Sequence, residues 1–284
     1  MSYVTPTRLI DAAVQAGIAK ANLSIGQLLA RGTLAGAILA CATTLAYTGT
    51  AQTGLPLVGA LIFPIGFVMI VLLGLELVTG SFALIPLAVL EGRTSVGRML
   101  RNFGVVIVGH LLGCGLYAGL YLATITRMGT DQTHPLIATL IAAAEAKTTG
   151  YEILGASGIA LVIIKAILCN WMVAFGAILA LSSTSTGGKI VAMWLPVCMF
   201  FALGFEHAVV NMFVIPAGML LGADVSIGQW WGWNQLPVLV GNFIGAVTLC
   251  AGLFYFSHRT HIQRADAVGL PAEAAAPEPV LALR

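Results

Sequence analysis

The sequence predicts an all-α membrane protein with six transmembrane helices, arranged as two inverted three-helix repeats in which the second and fifth helices are broken. Three observations carry that prediction. Hydrophobic residues make up 59% of the chain and charged residues only 8%, whereas about a quarter of the residues in a soluble domain are charged. Between Arg31 and Glu76 there is no charge at all, a run too long for one crossing, which takes about 20 residues. Finally, a shift of 130 residues lays Met69, Leu73, Gly74, Glu76, Ile85, Pro86 and Leu90 on Met199, Leu203, Gly204, Glu206, Ile215, Pro216 and Leu220. Single identities come cheaply in apolar sequence, but Gly-x-Glu and Ile-Pro at one shift mark a repeat.

Taken in order, Ile10, Val14 and Ile18 recur every four residues between Arg8, Asp11 and Lys20, the pattern of a short amphipathic helix at the membrane surface. Residues 1–26 are therefore expected to form an N-terminal helical segment, residues 27–258 the transmembrane unit and residues 259–284 a tail. The segment Met1 to Ala30 lacks the basic start and short apolar core of a cleaved signal, so it is expected to be retained. Thr48 to Pro56, rich in Thr and Gly, is the expected hairpin between the first two helices. Glu91, Arg93, Arg98 and Arg101 form a hydrophilic loop, and Asn102 to Thr126 a third helix containing His110. Arg127 to Glu152 reads as a polar connection, Gly158 to Leu181 as a fourth helix carrying Lys165, and a fifth begins after Lys189. The sixth lies between Trp233 and Phe256, with Trp230, Trp231 and Trp233 as interfacial anchors. The Ala-, Pro- and Glu-rich stretch from Ala265 to Arg284 is expected to be disordered.

Six crossings put ten of the thirteen Lys and Arg on one side, leaving Arg127 and Lys147 on the other and Lys165 within a span. The rich side, with both termini, is then expected to be cytoplasmic. Three crossings per repeat is an odd number, so the halves are inverted. In each copy Gly74 or Gly204 and Glu76 or Glu206 interrupt the apolar run, and Pro follows. The expectation is two half-helices meeting near the midplane around unwound backbone, tolerated only where it lines a cavity. Within that second break, Glu206, His207 and Asn211 are costly at membrane depth and mark a functional site.

Some functions are excluded at once. A formal charge of +2 with no basic cluster among aromatics argues against nucleic acid. Cys41, Cys114, Cys169, Cys198 and Cys250 show no paired spacing and no nearby His, so no metal or cofactor is expected. An intramembrane serine protease is suggested by Gly155-Ala156-Ser157-Gly158 and by the HxxxN spacing of His207 and Asn211. The order is wrong for it, and a Ser and His that cannot meet do no nucleophilic catalysis.

The motifs Phe63-Pro64-Ile65-Gly66, Gly74-Leu75-Glu76-Leu77-Val78-Thr79-Gly80, Leu168-Cys169-Asn170-Trp171-Met172-Val173, Gly204-Phe205-Glu206-His207 and Asn211-Met212 together resemble the formate/nitrite transporter family. The resemblance implies an aquaporin-like fold, a homopentamer in a bacterial inner or plasma membrane, and one pore per protomer for small monovalent anions such as formate, nitrite or hydrosulfide. The Asn-Pro-Ala pair of aquaporins and the twin pore histidines of ammonium channels are missing, which disfavours a neutral-solute channel. His207 resembles the family's central pore histidine, with Thr79 and Asn170 as hydrogen-bonding neighbours. Phe63 and Phe200 match the outer constriction, and Leu77 and Phe67 the inner one. Lys147 resembles an outer-vestibule lysine, although the connection from Lys147 to Asn170 is longer here than the family pattern. Glu76 and Glu206 are expected to be structural carboxylates that bond N–H groups of the unwound loops. His110 is expected in the core or between protomers, and Lys165 to pair with a carboxylate or snorkel.

Overall fold

The computed structural model describes residues 2–258, and the expected disordered tail lies outside the described residues. Four long helices carry the crossings: α2 (Ile25–Thr53), α6 (Val96–Ile125), α9 (Ala156–Leu179) and the last helix, Ile227–His258, each apolar enough to cross a membrane. Between them lie α1 (Pro6–Ala21), α3 (Pro56–Ile62), α4 (Pro64–Leu72), α5 (Val78–Leu90), α7 (Pro135–Lys147), α8 (Thr149–Glu152), α10 (Thr186–Ala202) and α11 (Ala208–Leu220). With Ile227–His258 as α12, the described chain is helical nearly throughout.

Local chemistry sets the ends. Ser24 caps α2 in a capping box with Gln27, and Gly54, left-handed at φ 69°, closes it. The expected hairpin is thus only Gly54 and Leu55 before Pro56 starts α3. Ser95 and Ser185 cap α6 and α10 in the same way, each accepting from the backbone N–H three residues on.

Both broken spans follow one plan. Pro56–Leu72, jogged at Pro64, and Thr186–Ala202 are the longer parts, and Val78–Leu90 and Ala208–Leu220 the shorter ones. The longer parts have 17 residues, about 25 Å at helical rise, so the two pieces are unequal rather than halves meeting at the middle. The chain then turns inward. Leu73 and Leu203 are 64% and 59% exposed, whereas Leu77 and His207 are 4% and 3% exposed. Gly74 and Gly204 make the turn at φ 63° and 65°, a conformation only glycine adopts without strain.

Small residues let the long helices approach closely, as membrane packing requires. A Cβ on Gly113 of α6 would overlap the Thr33 carbonyl of α2, and one on Gly245 of α12 would overlap the Ile167 carbonyl of α9. Two short helices then cover the shorter broken pieces. The apolar face of α1, with Ile10, Ala13 and Val14, is buried, and Gly17 meets the Leu84 carbonyl of α5. This face is covered by protein instead of lying open at the membrane surface. Residues 127–152, expected as a polar connection, contain α7, whose Leu136, Ile137, Leu140 and Ala144 are buried. Gly218 of α11 sits against the Leu140 carbonyl, as Gly17 does against Leu84. The single polar-rich stretch at 127–134 hid the helix behind it. Ahead of α1, Val4 N donates to Ser182 O at 2.8 Å and ties the N-terminus to the α9–α10 loop.

Candidate pore site

Each break is held by three matched brackets, built from residues that recur near one shift. The Val78 N–H at the start of α5 donates to His110 Nε2 (3.1 Å), and the Ala208 N–H at the start of α11 donates to Asn242 Oδ1 (2.9 Å). The other edge of each bracket reaches a long helix: His110 Nδ1 lies 2.8 Å from the Gly32 carbonyl, and Asn242 Nδ2 donates to the Ala166 carbonyl at 2.8 Å. Beside them, Asn102 donates to the Lys20 carbonyl and Asn234 to the Lys147 carbonyl, at 3.1 and 2.9 Å. Third, each glutamate takes a lysine from its covering helix. Lys20 Nζ is 2.9 Å from Glu76, and Lys147 Nζ is 2.8 Å from Glu206.

These brackets correct two expectations. Glu76 and Glu206 do not bond the first N–H groups of α5 and α11, which His110 and Asn242 already hold. A buried carboxylate gains more from an ammonium and side-chain donors, since charge-assisted bonds are the stronger ones. Glu206 accepts from Lys147, from Tyr151 Oη (2.7 Å) and from Asn211 Nδ2 (2.8 Å). Lys147, expected as a vestibule cation, is therefore already paired. Among the described residues Lys165 has no carboxylate partner: its Nζ lies 3.4 Å from Tyr151 Oη and 5.8 Å from the centroid of that ring. His110 is a fully buried core residue.

At the second break, His207 is the N-cap of α11. The Val210 N–H donates to its Nδ1 (3.2 Å), so a neutral ring carries its proton on Nε2, which faces Thr79 Oγ1 at 3.1 Å. Asn170 Nδ2 donates to the Thr79 and Asn242 carbonyls at 3.1 and 2.8 Å. The structure thus brings His207, Thr79 and Asn170 into one bonded cluster, and Asn211 joins it through Glu206. Asn170 Oδ1 and Asn211 Oδ1 are buried acceptors with no protein partner.

Aromatic rings lie over this cluster. Phe200 lies nearly parallel to the His207 ring (centroids 5.5 Å apart, 21° between planes) and edge-on to Phe63 at 5.7 Å. Phe201, which sequence reasoning missed, stacks on Phe63 at 4.0 Å. Phe67 and Leu77 form the floor of a cavity of about 370 Å³, whose lining also includes Lys20, Arg31, Glu76 and Lys189. Phe63, Phe67, Leu77, Phe200 and His207 are all buried, the four apolar side chains within one core cluster, so the imidazole lies in an apolar seam. The protease alternative finds no support here: Ser157 is exposed at the start of α9, and both His207 nitrogens are engaged by Val210 and Thr79.

Sequence reasoning also missed Asn102, Asn234, Asn242 and Tyr151. A signal existed for three of them, because Asn102 and His110 pair with Asn234 and Asn242 at a shift of 132 rather than 130.

A family model described as formate/nitrite transporter matches residues 7–256 of this chain. The chain belongs to the formate/nitrite transporter family. Among its relatives, the "Uncharacterized transporter YrhG" of Bacillus subtilis (strain 168) is 33% identical, over 90% of this chain and 94% of that protein. The "Probable formate transporter" of Methanothermobacter thermautotrophicus is 32% identical, over 90% of this chain and 98% of that one. The "Formate channel FocA" of Haemophilus influenzae (strain ATCC 51907 / DSM 11121 / KW20 / Rd) is 31% identical, over 91% and 96%. Of solved structures, an "FNT family ion channel" superposes with a TM-score of 0.73 at 25% identity, covering 88% of this chain and 99% of that one. A "Pentameric formate channel with formate bound" shares the fold, with a TM-score of 0.69 at 23% identity over 83% and 98% of the two chains. Membership of the formate/nitrite transporter family and four apolar helices of crossing length make this an integral membrane protein of a transporter family, not an enzyme.

Proposed function

We propose that each protomer of a homopentamer carries small monovalent anions, formate or nitrite and also hydrosulfide, across the membrane with a proton supplied through His207. The observation that carries this reading is the His207 Nε2 to Thr79 Oγ1 contact, buried beside Phe200, which packs edge-on against Phe63. Taking an anion out of water costs several kcal/mol even after relaxation, and apolar rings alone would stop it. A proton donor at the narrowest point removes that cost, because the neutral acid crosses the seam. A proton taken up from water first makes the ring an imidazolium. This cation gives up a proton through the Thr79 hydroxyl to the anion and returns to the neutral ring, and that couple is the one whose unperturbed titration lies near neutrality. Asn170, which holds the Thr79 carbonyl, fixes the hydroxyl's position.

The cavity supports the same reading. It is lined by Lys20, Arg31 and Lys189, and among the described residues only Lys20 of the three has a carboxylate partner, so its field attracts anions. It lies on the side expected to collect most Lys and Arg, which supports a cytoplasmic position for it. The relatives described as formate transporter and formate channel, and the pentameric channel with formate bound, are consistent with substrate and assembly.

Uptake of formate, nitrite, hydrosulfide and lactate into proteoliposomes across a pH series tests it. Wild type is expected to take up a proton with each small anion, and His207→Asn to lose the pH dependence. Proton-coupled uptake that persists unchanged in His207→Asn removes the imidazole from the mechanism.

A further inference from the structure

The two repeats place equivalent residues at their two mouths, and one of these has no assigned role. His110 and Asn242 are equivalents, since each holds the first N–H of a shorter broken piece, Val78 or Ala208. Their other edges meet the Gly32 and Ala166 carbonyls, so Gly32 matches Ala166 and the preceding residues, Arg31 and Lys165, match each other. Arg31 lines the cavity before the first break and donates to the Gly74 carbonyl at 3.2 Å. Lys165 is therefore the second repeat's counterpart of Arg31, on the helix that holds the second break's bracket.

The charges there are not balanced alike. Lys147 is compensated by Glu206 at 2.8 Å. Lys165 instead rests on Tyr151, its ammonium donating to a phenol oxygen at 3.4 Å while that phenol donates to Glu206 at 2.7 Å. A phenol and a ring face anchor a cation without cancelling its charge. Tyr151 belongs to α8, within the connection that is long for the family pattern. Among the described residues, nothing equivalent bonds Glu76, whose side-chain donors are Lys20, Ser81 and Asn102.

We propose that Lys165, held in place by Tyr151, is the anion-recruiting cation of the second mouth, a subsite for small monovalent carboxylates or nitrite. This rests on the transport reading above. Lys165 acts before the seam and not in it, so it governs capture at low concentration and leaves the crossing step alone. An uncompensated charge at a mouth raises local anion concentration, and salt screens the effect over about 10 Å at 0.1 M.

The test is the initial rate of formate uptake into proteoliposomes against concentration, at one pH and two ionic strengths. Lys165→Gln and Lys165→Met are expected to raise the half-saturating concentration about three- to tenfold at low salt, with maximal rate within about twofold of wild type. The difference shrinks at high salt, and Lys165→Arg restores wild-type behaviour. Tyr151→Phe keeps the ring but frees the ammonium from its oxygen, and is expected to give a rise of about two- to threefold. Half-saturation unchanged in Lys165→Gln and Lys165→Met overturns the assignment while transport itself stands. If those two variants do not fold, an unchanged Tyr151→Phe overturns it. Wild type that carries no formate overturns both this subsite and the transport reading.

Discussion

The first and second breaks share a backbone and differ in what they carry. Leu77 and His207 hold nearly the same conformation, φ −119° and ψ 118° against φ −113° and ψ 120°, each as the N-cap of a 13-residue helix. One presents an aliphatic chain to an open cavity, the other an imidazole to Thr79. The networks behind them differ too. Glu206 accepts side-chain bonds of 2.7 to 2.8 Å from Lys147, Tyr151 and Asn211, whereas Glu76 has one short bond, from Lys20, and longer ones of 3.3 and 3.4 Å from Ser81 and Asn102. The duplicated scaffold supplies the unwound backbone twice. Tight fixation accompanies only the copy that holds the titratable ring, where a displaced imidazole would lose its hydroxyl partner.

Because of that asymmetry, removing the two carboxylates is not expected to cost the same. Glu206→Ala leaves the Lys147 ammonium unpaired and takes an acceptor from Tyr151 and Asn211, and is expected to destabilise by about 3–5 kcal/mol. Glu76→Ala leaves Lys20, which lines the cavity and can be solvated there, for about 1–3 kcal/mol. Thermal unfolding of the two variants in detergent measures the difference, and equal losses would break the comparison.

A finer cut falls on the brackets. Asn242→Leu strips partners from the Ala208 N–H and from the Glu206 and Ala166 carbonyls, while His110→Leu strips them from the Val78 N–H and the Gly32 carbonyl. Each newly unsatisfied buried group costs about 1–3 kcal/mol, so Asn242→Leu is expected to unfold at the lower temperature. The reverse order would show that the first break is the tighter one.

The helix crossings, by contrast, are expected to behave alike. Gly113→Ala and Gly245→Ala both drive a methyl into a backbone carbonyl that cannot rotate away, at about 1–3 kcal/mol each. Gly119→Ala, which meets nothing within 4 Å, is the control and should leave the unfolding temperature unchanged. A large gap between the two crossing variants would mean that the halves differ in their frame as well as in their sites.

Much of this was legible in the residues. The breaks were visible because left-handed turns need glycine, and Gly74 and Gly204 fall at one shift with their glutamates. His207 was marked by its cost at membrane depth, whereas Thr79 and Asn170 were named through a family resemblance, and periodicity alone would not have joined them to it. α7 escaped because its thirteen residues follow a polar turn, and its pairing with α1 leaves only a leading Pro and a trailing Lys in common. The partner of Lys147 was not legible, because nothing in the residues around it points to a carboxylate 59 residues away.

By itself, the amino-acid sequence determined that the chain is an all-helical membrane protein and where two of its helices break. Those properties follow from local composition, and lipid tolerates few ways of satisfying a backbone. Tertiary structure alone decided which ammonium meets which carboxylate, that His110 and Asn242 hold the loop amides, and that the His207 ring meets a threonine 128 residues away. Such partners are chosen by the angles at which packed helices cross, and those angles depend on every glycine and side chain in the interface at once.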